Sequence, residues 1–147
     1  MNEQLTTVTQ GLSGDEALSL LTLLSSWQNV TTIMIKGGCV FEYKGVFPAG
    51  SLGQGYFNFG GDSGFHGHIR LEAIGSIGFQ DRQHRGRDSF AFLFDDTKGR
   101  NIFKVFLGRD ESGDLHPEQV AAFNRIRETG EISPLLGVED EEQKITE

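Results

Sequence analysis

Cysteine is nearly absent from this sequence, and its scarcity excludes several kinds of site. The one cysteine, Cys39, has no partner for an intramolecular disulfide. Zinc sites of the finger type need pairs of cysteines, and no helical His-Glu-x-x-His motif stands in for them. A lone thiol is typical of proteins kept in a reducing compartment, so we expect this protein in the cytoplasm.

Basic charge and long apolar runs are also in short supply. The chain holds 13 Lys and Arg against 21 Asp and Glu, a net charge of −8. Nucleic-acid binding needs a basic face, so we expect no nucleic acid partner. No apolar run approaches the length of a membrane span, and the N-terminus lacks the basic start and apolar stretch of a signal peptide. The chain also has no P-loop, GxGxxG or Ser-His-Asp arrangement.

Phenylalanine, by contrast, is abundant, with 12 Phe against 2 Tyr and 1 Trp. Phe offers packing surface without a polar group, so this composition predicts a core, or the wall of an apolar pocket, made of flat rings. A length of 147 residues suits one domain. The acidic excess is concentrated near the C-terminus. We therefore expect a domain over residues 1–130 and a mobile acidic tail over 131–147.

The hydrophobic pattern predicts an α+β fold with a largely antiparallel sheet of about seven or more strands, flanked by an N-terminal and a C-terminal helix. A capping box at Ser13–Glu16 begins the first helix. From Val30 the apolar period is two, and the strands that follow are joined by turns too short for parallel crossovers. The second helix begins at Pro117 and ends near Thr129. The buried stripe predicted for the first helix consists of Ala17, Leu20, Leu21, Leu24 and Trp27.

Three segments are predicted to lie outside regular structure. Residues 1–12 are polar and weakly patterned, so we expect them to be frayed. Phe47–Ser51 is predicted to be a loop. Asp81–Asp88 holds the only basic cluster, and this segment is predicted to be a solvated loop.

The stretch that carries chemistry is a predicted hairpin. Gly55–Phe59 and Phe65–Glu72 flank a glycine-rich turn, and the second run alternates cleanly between apolar and polar residues. The polar side then holds His66 and His68 beside an arginine, with Tyr56 nearby. These groups can hold iron or take part in proton transfer.

Each of these groups also has a purely structural interpretation. In that interpretation the two histidines are solvated surface residues, since a zinc site would need further ligands. Tyr56 is either a half-buried strand tyrosine or, as tyrosinate, a ligand of ferric haem iron, which a nearby arginine would favour. The arginines of the basic cluster, Arg82, Arg85 and Arg87, are solvated or pair with carboxylates of an anionic ligand.

Several strings, in this order, resemble one known family. They are Trp27–Thr32, Phe41-Glu42, Gly55–Asn58, Gly67–Ile69, Phe103–Asp110 and Gln119–Phe123. The set resembles the ChuX/HutX-type intracellular haem-utilisation proteins of bacteria, and it spans about Trp27 to Ile126. Longer relatives of the HemS/ChuS type fuse two such modules in one chain.

The resemblance implies a homodimer that takes up haem in the cytosol and hands it on to a downstream protein. It implies iron ligation by Tyr56 and His68. A further family histidine falls at Ile35 here, which shifts the expectation toward Tyr56. Haem needs an apolar slot, an axial ligand and cations for its propionates. The corresponding candidates are Phe57, Phe59, Tyr56, His66, His68, Arg85 and Arg87.

Two other functions stay open from the sequence. Two-module relatives include haem-degrading activity, so an enzyme is the first alternative. A structural or regulatory module without a cofactor is the second.

Overall fold

The computed structural model describes residues 11–136 of the chain, and these form an α+β fold. The predicted fold class is therefore confirmed. Two helices, nine strands and three short 3-10 turns make up this part of the chain. The strands are β1 (Leu12–Ser13), β2 (Val30–Lys36), β3 (Cys39–Gly45), β4 (Gly50–Gly53), β5 (Tyr56–Phe59), β6 (Gly67–Arg70), β7 (Ser76–His84), β8 (Arg87–Asp95) and β9 (Asn101–Leu107). The helices are α1 (Ala17–Leu24) and α2 (Pro117–Thr129).

The strands form two antiparallel sheets. The main sheet has six strands in the order β1-β7-β8-β9-β2-β3, and the small sheet has three in the order β4-β5-β6. Most connections are tight turns between neighbours, which is why the pairing is antiparallel. The β2–β3 turn, for example, is Gly37-Gly38 with φ of +58° and +82°, a conformation that glycine adopts without strain.

The two faces of the main sheet differ. Its core face carries the side chains of Val30, Phe79, Phe92, Phe94, Phe103 and Val105, all buried. Because side chains alternate along a strand, the open face carries Thr31, Ile33, Gln80, Arg82, Arg87 and Phe106. Both helices pack on the core face, where Phe123 of α2 lies 5.0 Å from Phe92 between ring centroids.

Helix bounds follow the chemistry that the sequence predicts. Ser13 accepts a hydrogen bond from the backbone of Asp15 at 3.0 Å, so the capping hydroxyl engages one residue earlier than the predicted Glu16. α2 begins at Pro117, which needs no N–H partner there, and ends before Gly130 at φ +72°. The five residues of the predicted stripe are buried, although α1 ends at Leu24 and Trp27 lies beyond it. Leu23, which the stripe left out, is buried as well at 4 % exposed.

Three local predictions are wrong. Gly50–Gly53, half of which was expected as loop, pairs with β5 as an edge strand. The basic cluster is not a loop, because β7 and β8 run through it to a turn at Arg85-Gly86. Leu12, in a segment expected to be frayed, pairs with Ile77 and is buried.

The C-terminal boundary needs the same kind of correction. Ile132 is 1 % exposed and Ser133–Leu136 forms a 3-10 turn packed near α1. The packed region thus continues past residue 130. The rest of the predicted acidic tail, 137–147, and residues 1–10 lie outside the described residues.

The two helices were compared with the requirements of a membrane span. Within residues 11–136, neither helix has the length and apolar character to cross a bilayer.

Candidate functional site

The small sheet has one apolar and one polar side. Phe57 and Phe59 face inward, where Phe59 stacks on Phe47 at 5.3 Å between centroids. Tyr56, Asn58, His68 and Arg70 lie on the other side, which we call the polar face. The register pairs Tyr56 with Arg70 and Asn58 with His68. The predicted hairpin therefore brings the tyrosine, a histidine and an arginine together, because both strands alternate with period two.

Tyr56 and His68 are close neighbours on this polar face. Their ring centroids are 6.5 Å apart with the rings nearly perpendicular, at 89°. His68 is exposed, and Tyr56 is 36 % exposed. A phenol and an imidazole are thus presented to solvent side by side.

Asn58 holds the imidazole of His68. Its side-chain oxygen lies 2.8 Å from Nδ1 of His68. Its side-chain nitrogen lies 3.4 Å from each of three backbone carbonyls, those of Ser51, Gly53 and Tyr56. Asn58 is not among the residues predicted for the site, although its position two residues after Tyr56 places it on the same side of the strand.

An aromatic slot of about 340 Å³ opens where the small sheet meets the β2–β3 hairpin. Its walls are mostly rings and aliphatic side chains, with two imidazoles at its edge. The rings belong to Phe41, Tyr43, Phe47, Phe59, Phe65 and Phe103, and the imidazoles to His66 and His68. His66 packs over Gly60, where an added Cβ would lie 2.2 Å from the Cβ of His66. The slot has the flat apolar walls that the phenylalanine content predicts.

A second concavity, the basic cleft, lies on the open face of the main sheet and measures about 650 Å³. Its floor is apolar and includes Ile33 and Phe106. Its cationic side chains are Lys44, Arg82, Arg85, Arg87 and Arg109, and the imidazole of His84 also lines it. No acidic residue of the described chain lines it. In a chain with a net charge of −8, this concentration of cations favours an anionic ligand.

The arginines of the basic cleft differ in how they are held. Arg87 donates to the backbone carbonyl of Gly113 and pairs with Asp114 at 3.6 Å. Arg109 donates to the same carbonyl at 3.1 Å and to the carbonyl of Asp88. These bonds join the start of β8 to the loop after β9 and fix two of the cations. Arg85 stands at the tip of the β7–β8 turn.

The loop after β9 is organised by Asp110. Its carboxylate accepts from the backbone of Ser112 at 2.9 Å and of Asp114 at 3.0 Å. Those bonds, that from Asp114 foremost, hold the pKa of the Asp110 carboxyl below its usual value. The ionised carboxylate thus maintains the loop that carries Arg109.

The predicted site residues do not all converge. Tyr56, His66 and His68 lie on the polar face or at the slot beside it, whereas Arg85 and Arg87 line the basic cleft. Phe57 is 1 % exposed, so it belongs to the core and presents no ring to a ligand. Lys44 and Arg109 were missed because they are distant in sequence from the basic cluster. Among residues 11–136 no group of three or more His, Cys, Asp or Glu could hold a bare metal ion.

Comparison with known proteins identifies the family. The family described as haem utilisation ChuX/HutX matches residues 10–126. The chain belongs to the ChuX/HutX family. The resemblance of the ordered strings is therefore confirmed over most of the chain.

Individual relatives agree with this assignment. The chain is 42% identical over 118 residues to the intracellular heme transport protein HutX of Vibrio cholerae, covering 80% of this chain and 61% of that relative. It thus spans about three fifths of the length of this curated relative. A solved structure of the heme binding protein ChuX superposes with a TM-score of 0.73 at 32% identity, covering 82% of this chain and 76% of that one.

A more distant match shares the fold alone. Holo-PhuS, a heme-binding protein from Pseudomonas aeruginosa, matches with a TM-score of 0.62 at 15% identity. The match covers 81% of this chain and 33% of PhuS.

Proposed function

We propose that this protein is a non-enzymatic haem carrier that accepts haem in the cytoplasm after uptake and passes it on. Membership of the ChuX/HutX family and the transport and binding roles named for its relatives support the proposal. The observation that carries it is the pair of exposed donors, Tyr56 and His68, beside an aromatic slot. The phenolate oxygen of tyrosine and the imidazole nitrogen of histidine both serve as axial ligands of haem iron in proteins.

The geometry allows only one of these two donors to bind a given iron. Tyr56 and His68 project from the same face of the same small sheet. The two axial positions of a haem lie on opposite sides of a flat ring, so neighbours on one face cannot fill both. Tyr56 and His68 are therefore alternative ligands. A single exposed ligand suits a cargo that has to leave.

The carboxylates of haem need cations, and the basic cleft supplies them. Arg82, Arg87 and Arg109 surround an apolar floor there, which suits a ring with two propionates at one edge. Within one chain, however, this cleft and the polar face are separated. The cleft is on the open face of the main sheet, while the small sheet packs over the core face with its polar side turned away. One haem cannot reach both through the core.

A homodimer resolves this separation. If the polar face of one copy sits over the basic cleft of its partner, one haem receives its axial ligand from the first and its cations from the second. The β2–β3 hairpin offers apolar surface for such a contact, because Met34, Ile35, Val40 and Phe41 are 44–68% exposed. Ile35 lies on the open face beside the cleft and has no donor for iron. The absence of a donor at Ile35 supports Tyr56 or His68 as the ligand.

Titration with hemin tests the proposed function. We expect wild-type protein to give a saturable shift of the Soret band. Tyr56→Phe and His68→Ala each remove one donor, and the double variant removes both, so its affinity should fall about tenfold or more. Glu128→Ala is the control, since it changes an exposed residue of α2 that lines neither concavity, and it should bind like wild type.

Three results would contradict parts of this proposal. An unchanged double variant would show that neither side chain ligates the iron. The absence of saturable binding by wild type would favour a module without a cofactor. Loss of the Soret band with a reductant, giving a defined tetrapyrrole product in the presence of catalase, would identify a haem-degrading enzyme instead of a carrier.

A further inference from the structure

We infer that Asn58 is a positioning residue, which fixes the proton of the His68 ring on Nδ1 and leaves Nε2 free to bind iron. The inference rests on the proposed function for the identity of the ligand. Its structural part, the tautomer, stands on the geometry of the polar face alone.

The position of Asn58 is set by the sheet. It is the direct cross-strand partner of His68, so its side chain and the imidazole rise from neighbouring points of the same face. Opposite residues in an antiparallel pair are close enough for their side chains to meet. The contact is a short one, with Oδ1 of Asn58 2.8 Å from Nδ1 of His68.

The surroundings of Asn58 decide which of its atoms faces the histidine. Its Nδ2 lies 3.4 Å from the carbonyl oxygens of Ser51, Gly53 and Tyr56. A carbonyl accepts and never donates, so the amide nitrogen belongs on that side. The amide oxygen is then left for His68. Because this oxygen can only accept, Nδ1 of the imidazole must carry the proton that it donates.

A proton fixed on Nδ1 has a direct consequence for ligation. In a neutral imidazole one nitrogen carries the proton and the other offers a lone pair. With Nδ1 donating to Asn58, the lone pair is on Nε2, the ring atom farther from the backbone. Histidines that ligate metals commonly donate their second nitrogen to a carbonyl or carboxylate, which fixes the tautomer and orients the ring. Asn58 supplies that partner here.

Two substitutions separate this role from general support of the small sheet. Asn58→Asp keeps an acceptor for Nδ1 but loses the amide N–H groups that face the three carbonyls. Asn58→Leu has a similar size and loses both. If Asn58 acts through His68, the Asn58→Asp variant should keep the His68 proton on Nδ1 and the Asn58→Leu variant should not. If it acts through the carbonyls, both variants should fail alike.

The first measurement uses the protein without haem, so it does not depend on the proposed function. Nitrogen-15 NMR of the histidine rings at a pH above their titration distinguishes the two tautomers. We expect wild type and Asn58→Asp to show His68 protonated on Nδ1, and Asn58→Leu to shift toward the Nε2-protonated form. The amide spectrum of each variant checks that it is folded. A wild-type His68 protonated on Nε2, or an Asp variant that behaves like Leu, would overturn the inference.

The second measurement adds hemin in a Tyr56→Phe background, where His68 is the remaining donor of the pair. Asn58→Leu should weaken binding about tenfold, whereas Asn58→Asp should retain it and show the altered spectrum expected of a more basic imidazole. Equal hemin affinity of the Tyr56→Phe protein and its two Asn58 derivatives would overturn the role of Asn58 in ligation. Failure of wild type itself to bind hemin would reject the proposed function, and the NMR result would still decide the tautomer.

Discussion

A single buried side chain, Gln119, joins three elements behind the basic cleft. It is fully buried, at 0 % exposed, and is the one buried polar residue in the described part of the chain. Its Oε1 accepts from the backbone of Gly108 at 2.8 Å, and its Nε2 donates to the carbonyl of Asn29 at 3.0 Å. It thereby links α2 to the residue that follows β9 and to the residue that precedes β2. Buried polar groups are costly unless paired, so this network must be complete.

Gln119→Met tests that network. Methionine has a similar length and no hydrogen-bonding amide, so the backbone groups of Gly108 and Asn29 would be left buried and unpaired. We expect the free energy of unfolding to fall by about 2–3 kcal/mol in urea denaturation. Gln83→Met, at an exposed position of β7, is the matched control and should stay within about 0.5 kcal/mol of wild type. A loss no larger than that of the control would refute the role of Gln119.

At the scale of the elements, the turn of the β7–β8 hairpin places a strained arginine, Arg85, in the basic cleft. Its two-residue turn is Arg85-Gly86, with φ of +56° and +78°. Positive φ at both positions identifies a type I′ turn, for which Asn-Gly is the favoured sequence and arginine is not. A β-carbon in this left-handed region is strained. Arg85 thus violates a local preference, and residues that do so are often found at functional sites.

The substitution Arg85→Asn separates the two roles of this residue. It gives the turn its preferred sequence and removes a cation from the basic cleft. We expect thermal unfolding to show a gain of about 0.5–1 kcal/mol, while the affinity for hemin falls by up to about fivefold through loss of an exposed ion pair. Arg100→Asn, in a different turn, should leave hemin affinity unchanged. A variant that is more stable and binds hemin as wild type does would remove Arg85 from the binding residues.

The same hairpin shows how far sequence reasoning reaches at this scale. Clean alternation and terminal residues such as Pro117 and Gly130 predict strands and helix bounds, because their causes are local. The extension of β7 and β8 was missed because Arg-Gly is a rare turn sequence and every residue around it is polar. β4 was missed because Gly50 and Gly53 have low strand propensity, and only pairing with β5 makes this segment a strand.

The whole molecule presents its two candidate binding surfaces in opposite directions. Alternation correctly placed Tyr56 with His68, since the hairpin that joins them is local in sequence. It could not predict the basic cleft, because Lys44, Arg82 and Arg109 meet only through the order of strands in the main sheet. Strand order depends on packing between distant segments, and no local pattern encodes it.

Mixed dimers test whether the two surfaces of different copies share one haem. One variant carries Tyr56→Phe with His68→Ala and keeps its cleft, and the other carries Arg82→Ala with Arg87→Ala and keeps its donors. Neither should bind hemin tightly alone. Co-expressed, random pairing in a symmetric dimer restores about a quarter of the sites, which hemin titration of the mixture would detect. No recovery in verified mixed dimers would show that the two surfaces do not share one haem across the dimer.

If the protein is the haem carrier proposed above, the side-by-side arrangement of Tyr56 and His68 also bears on how the cargo leaves. Since both donors approach from one side, a single coordinate bond retains the metal on that side. Release then requires only one bond to break. No intermediate forms in which a second protein ligand still holds the iron. Transfer to an acceptor should accordingly follow a single exponential, at a rate governed by the strength of that one bond.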